Sequence, residues 1–131
     1  MKFIELFTFG KAYDELFTNL YDSDKLDMVL NDKGRVILGE EGLLRLGLDE
    51  DMFRWKHGDY ILDIGFYGKN QTILKIMLVK CDDWNDQDKA SLTWWKPLKS
   101  ITCKSKDDVT KTVTEMLEYV KAQTGLEEKT M

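Results

Sequence analysis

Residues 59–81, DYILDIGFYGKNQTILKIMLVKC, decide how the rest of the chain is read. Tyr60, Leu62, Ile64 and Phe66 alternate with Asp59, Ile61, Asp63 and Gly65, the period-two pattern of a strand with one buried face. Gly68-Lys69-Asn70 supplies a turn, and Leu74, Ile76 and Leu78 then alternate with Ile73, Lys75, Met77 and Val79. The segment reads as an antiparallel hairpin. Its return strand is apolar on both sides over part of its length and is expected to be central in the sheet.

Upstream, residues 26–38, LDMVLNDKGRVIL, read as a second hairpin turning at Asn31-Asp32-Lys33-Gly34. Residues 40–48 fit a short helical turn or an irregular loop equally, because Gly42 and Gly47 interrupt the spacing of Leu43, Leu44 and Leu46. Downstream, the polar stretch DDWNDQDKAS leads to Leu92-Thr93-Trp94-Trp95, read as a strand that Pro97 turns into an edge or a bulge. Trp94 and Trp95 would then point to opposite faces.

Helices are expected at both ends. Residues 6–21 carry an apolar stripe of Phe9, Tyr13, Leu16, Phe17, Leu20 and Tyr21. Ser105, followed three residues later by Asp108, is a near capping box for a helix with the stripe Val109, Val113, Met116, Leu117 and Val120. Gly125 is its natural C-cap, and residues 126–131 are expected to fray. The whole is an α+β domain: a mostly antiparallel sheet built from hairpins, with the N- and C-terminal helices packed on one face.

The chain of 131 residues fits a single domain, and 15 aromatic residues need burial. A net charge of −5 disfavours direct binding to nucleic acid or to an anionic membrane. No run approaches the ~18 apolar residues of a membrane span, and no cleavable leader is visible. Cys81 and Cys103 lack metal or redox spacing and read as free thiols in a reducing compartment, although one disulfide stays open. A cytoplasmic location is expected.

No catalytic set emerges. His57 is the single imidazole, standing in Trp55-Lys56-His57-Gly58-Asp59, and no nucleophile is placed beside it by pattern. Asp59 and Asp63 lie four residues apart on a strand, roughly 13 Å at ~3.3 Å per residue, too far for a glycosidase pair. A hairpin-nuclease pattern fails because Ile73 stands where the acid before Lys75 belongs. The loop Asp82-Asp83-Trp84-Asn85-Asp86-Gln87-Asp88 has the composition of a calcium loop but no register that supplies its ligands. Neither a metal nor another cofactor is expected.

Charge is unevenly spread. Residues 40–88 carry a net −5 and residues 89–111 a net +4. An acidic face built from Glu40, Glu41, Asp49, Glu50, Asp51 and the Asp82–Asp88 loop, with Asp82, Asp83, Asp86 and Asp88, would suit a basic partner. Trp55 lies near the first acidic cluster and Trp84 inside the second, where an indole beside carboxylates has the composition of an interface hot spot. Trp84 can equally fold back as a core plug, and an ordinary solvated acidic surface accounts for the charges as well.

A small acidic α+β domain with no catalytic set and Trp-bearing acidic loops resembles bacterial immunity proteins, those of contact-dependent growth inhibition systems above all. The resemblance rests on size, charge and hairpin-plus-helix layout. It implies a stoichiometric inhibitor of a cognate toxin, usually a basic nuclease domain, with Glu40, Glu41, Asp82, Asp83, Asp86 and Asp88 standing in for phosphates or pairing with Lys and Arg. Three other readings stay open. One is a phage-type inhibitor of a host defence nuclease, which would usually carry more negative charge. Another is a small-ligand domain or enzyme with a cleft between helices and sheet, walled by Tyr60, Tyr67 or Trp95. The third is a subunit adaptor with an exposed apolar patch.

Overall fold

The computed structural model describes residues 2–7, 15–23, 26–30, 52–67 and 73–125. A short 3₁₀ helix spans Phe3–Leu6, and helices α1 and α2 span Glu15–Asp22 and Leu26–Val29. Strands β1 (Phe53–His57), β2 (Tyr60–Tyr67) and β3 (Ile73–Lys80) follow. Helix α3 (Gln87–Trp95), strand β4 (Lys99–Thr102) and helix α4 (Lys106–Thr124) complete the described chain. The four strands form one sheet in the order β1-β2-β3-β4, antiparallel throughout. This is the α+β architecture expected from the sequence.

Register places Phe53 opposite Ile64 and Trp55 opposite Leu62 on β1 and β2, while Ile64 and Leu62 also face Ile76 and Leu78 on β3. These residues share one face of the sheet and are buried. Burial of each such side chain contributes about 1.5–3 kcal/mol. Phe3, Phe7, Phe17 and Tyr21 cover the β1 side, with Phe3 packed edge-on against Phe53 at 4.8 Å and against Phe17 at 5.4 Å. Val109, Val113, Met116, Leu117 and Val120 of α4 complete the same core. The terminal helices therefore lie on one face, as their stripes imply.

Helix α4 begins and ends where the sequence signals it. Ser105 Oγ accepts from Asp108 N–H at 3.2 Å, and Asp108 Oδ2 accepts from Lys104 N–H at 2.9 Å. Gly125 closes the helix in the left-handed region at φ 67°.

Four expectations are corrected. Helix does not begin at residue 6: Phe7 ends the 3₁₀ turn with an N–H bond to Ile4 O, residues 8–14 lie outside the described residues, and α1 starts at Glu15. Leu26–Val29 is a helical turn, not a strand, anchored by buried Leu26 and by Asp27 Oδ1 accepting from Lys106 N–H at 2.6 Å. The remainder of that hairpin and residues 40–48 lie outside the described residues, apart from Leu30. Residues 92–95 are helical because Asp86 caps a helix over them, and the edge strand begins only after Pro97, as β4. Finally, β1 exists as a strand of its own, joined to β2 by a tight turn in which Gly58 takes φ 57°.

The return strand β3 is central, between β2 and β4, as expected, but the burial of the two strands is the reverse of what their patterns suggest. Strand β2 is buried on both faces, whereas β3 alternates along most of its length. The second face of the sheet carries α3, which the sequence does not announce. It contacts the sheet at β3, and its Trp94 meets Arg54 on the face opposite the terminal helices.

Candidate protein-binding surface

Beneath α3 the second face of the sheet holds a polar cluster. Asp63, in the middle of β2, is 0% exposed and sits opposite Arg54 in register. Arg54 donates from Nε and Nη2 to Asp63 Oδ1, each at 3.3 Å, and the Tyr67 hydroxyl donates to Asp63 Oδ2. A buried carboxylate is tolerated when paired and hydrogen-bonded in this way. Arg54 is half-exposed, and its guanidinium carbon lies 4.9 Å from the centre of the Trp94 ring. The cluster is a foundation for α3. Its signal in sequence is an Asp among apolar strand residues with Tyr four positions on, and it becomes legible only once β1 is recognised and paired.

The loop between β3 and α3 is braced from within. Trp84 Nε1–H donates to Asp59 O at 2.9 Å, tying the loop to the β1–β2 turn, and its ring lies 5.9 Å from Trp94. Asp83 Oδ1 accepts from Asn85 N–H at 3.0 Å, and Cys81 Sγ–H donates to Asp83 O at 3.3 Å. Asp86 is the N-cap: its Oδ1 accepts from Asp88 N–H at 3.0 Å and Lys89 N–H at 3.2 Å. Such caps are worth about 1 kcal/mol.

The candidate contact residues therefore separate. Asp82, Asp83 and Asp88 are exposed and stand together around the start of α3. Asp82 keeps 74% exposure, with Lys89 Nζ at 3.5 Å, an exposed pair of small energetic weight. Asp86 serves the backbone, and half-buried Trp84 braces the loop. Trp55 is not at any surface: it is fully buried, with Phe7 at 6.2 Å and His57 stacked on it at 5.8 Å. It alternates inward on β1 between Arg54 and Lys56, which its sequence position beside acids concealed. Glu40, Glu41, Asp49, Glu50 and Asp51 lie outside the described residues.

What the sequence reading missed is the outer side of α3. Leu92 is 67% exposed and Trp95 83% exposed, although both are large and apolar. With Asp88 they fall at i, i+4 and i+7, one stripe of the helix. Trp94, one residue earlier, turns inward to Arg54 and Trp84. A strand reading of 92–95 also separates the two indoles, but only the helix places Trp95 in line with Asp88.

The cleft walls suggested for a small-ligand site do not converge. Tyr60 is buried on the main core face beside Tyr119, Tyr67 bonds Asp63 on the other face, and Trp95 projects outward. Cys81 and Cys103 are both buried and free. Burial pushes the Cys103 thiol up to about 11, against a hydrogen bond with Thr112 that lowers it and with the Asp108 charge adding to the rise. Among the described residues no group of three or more His, Cys, Asp or Glu side chains is placed to hold a metal. No helix among them is long and apolar enough to cross a membrane.

Among the described residues, the fold and this surface define an α+β protein with a four-stranded antiparallel sheet and a braced acidic loop on the sheet face away from the terminal helices. Comparison with family profiles, curated proteins and solved structures finds no match to the chain.

Proposed function

We propose that this protein is a stoichiometric inhibitor, in the manner of an immunity protein, that binds and neutralises a basic protein partner such as a nuclease toxin domain. The observation that supports this reading is the exposure of Asp82, Asp83 and Asp88 around the start of α3, where Trp84, Asp86 and Asp83 itself hold the backbone in shape. Carboxylates carried on a fixed backbone lose little freedom on binding, so their charge goes into association rate and orientation. Exposed Leu92 and Trp95 beside them provide the apolar component that a purely electrostatic contact lacks.

The test compares the wild-type chain with Asp82→Lys/Asp83→Lys/Asp88→Lys as bait in a lysate of the source organism. The wild type should retain one basic protein at near-equal stoichiometry, released as salt rises, and should abolish that protein's activity once both are purified. The triple variant should fold, as circular dichroism will check, since exposed charges rarely cost more than ~0.5 kcal/mol each and the Asp83 bond to Asn85 N–H about 1 kcal/mol, and it should lose the partner. Retention of the same protein by the folded triple variant, or full partner activity in the wild-type complex, would overturn the proposal.

A further inference from the structure

Helix α3 has a polarity along its exposed stripe. Asp88 stands in its first turn, Leu92 at its middle, Trp95 at its end, and exposed Lys96 at its C-cap. Asp88 and Lys96 are each four residues from Leu92. An antiparallel copy of the same helix, related by a twofold axis at Leu92, would set Asp88 of each copy level with Lys96 of the other, whose long side chain leaves from the C-cap, where the backbone departs from helical geometry. It also brings the two exposed apolar surfaces together. An isologous interface requires this kind of self-complementarity, in which one patch satisfies its own image.

We infer that α3 is a self-association surface: two copies of this chain pair through Leu92 and Trp95, with reciprocal Asp88–Lys96 contacts at the rim. The carrying observation is the double exposure of Leu92 and Trp95 on a helix whose own inner side is already engaged with Arg54 and Trp84 through Trp94. Leu92 and Trp95, about one turn apart on the outer side of the helix, form one apolar patch that a partner surface can cover. The helix has nine residues, about 13 Å of length at 1.5 Å per residue. Such a contact belongs to the small, dissociable class of interfaces. The inference goes beyond the inhibitor reading and does not require it. Because both use Asp88, a basic partner would compete with the second copy.

Sedimentation velocity of the purified full chain, from about 5 μM to about 1 mM, reads this directly and spans the range in which a small interface dissociates. A reversible monomer–dimer equilibrium is expected within that range. Trp95→Ala should raise the dissociation constant at least about tenfold, as truncation of an interface anchor does. Asp88→Lys and Lys96→Asp should each raise it about three- to tenfold, because an exposed pair is weak but occurs twice. The double variant Asp88→Lys/Lys96→Asp should return it towards the wild-type value, since the exchanged charges again face each other. Circular dichroism of every variant confirms folding. A monomer at all concentrations overturns the inference, as does a dimer indifferent to Trp95→Ala or a double variant no better than the singles. None of these outcomes touches the inhibitor proposal, which fails only by its own partner assay.

Discussion

Arg54 lies between Asp63 and Trp94: two of its nitrogens reach Asp63 Oδ1 at 3.3 Å while its guanidinium carbon stands 4.9 Å from the Trp94 ring centre. One side chain thus satisfies a buried carboxylate in the sheet and supports the helix above it. Arg54→Met keeps much of the apolar stem but takes two charge-assisted hydrogen bonds away from buried Asp63. Removing one partner of a fully buried pair costs about 3–5 kcal/mol, and the half-exposure of Arg54 reduces this to about 2–3 kcal/mol. Urea denaturation at pH 7 checks the value. In Asp63→Asn/Arg54→Met the loss should be smaller than the sum of the single changes, because the charge to be satisfied has gone.

Asp86 sets the start of α3. Asp86→Ala removes acceptors for Asp88 and Lys89 N–H and should destabilise the helix by about 1 kcal/mol. Hydrogen exchange should show the loss concentrated in residues 87–95, with the β2–β3 ladder unaffected. Asp86→Ser should restore most of the protection. Equal loss of protection in β2 and β3 would mean that α3 does not open separately from the sheet.

The Cys103 thiol should be slow to react with a disulfide reagent at pH 8 in the native chain and rapid after unfolding, because it is buried and its ionisation is held back to about 11 from an ordinary 9.0. The sign for stability follows from linkage. Between these values the unfolded chain releases the proton and the folded one keeps it, so this contribution is fully present below 9.0 and is lost as pH rises to about 11. Denaturation of wild type and Cys103→Ala across that window should show a steeper fall in the wild type. Rapid native labelling at Cys103 would contradict its burial.

Gly58 turns β1 into β2 with φ 57°, and a Cβ placed there meets nothing within 4 Å. The penalty of Gly58→Ala is therefore conformational and not steric, about 1 kcal/mol for a left-handed non-glycine residue. Gly58→Asn, which tolerates that region, should lose less. Thermal midpoints of the two variants give the ranking, and Ala at or above Asn would refute it.

Much of the fold was legible because local patterns and tertiary burial agree. The alternation of Tyr60, Leu62, Ile64 and Phe66 is the core face of β2, and Ser105 and Gly125 bound α4 by short-range chemistry, to which Asp27 adds one distant bond at Lys106 N–H. Phe17, Leu20 and Tyr21 are buried as their spacing requires. In the loop, the exposure of Asp82, Asp83 and Asp88 accords with their charge alone.

Tertiary structure alone decided the rest. Whether Asp63 is solvated or buried depends on Arg54 standing opposite it, which depends on β1 pairing with β2. Four indoles in one sequence look alike, yet Trp55 is core, Trp84 is a brace, Trp94 lies near Arg54 and Trp95 faces water. A side chain's affinity for burial is set by its chemistry and is written in the sequence. The cover available to it comes from whichever elements arrive on the same face of the sheet, and residues remote in the chain settle that.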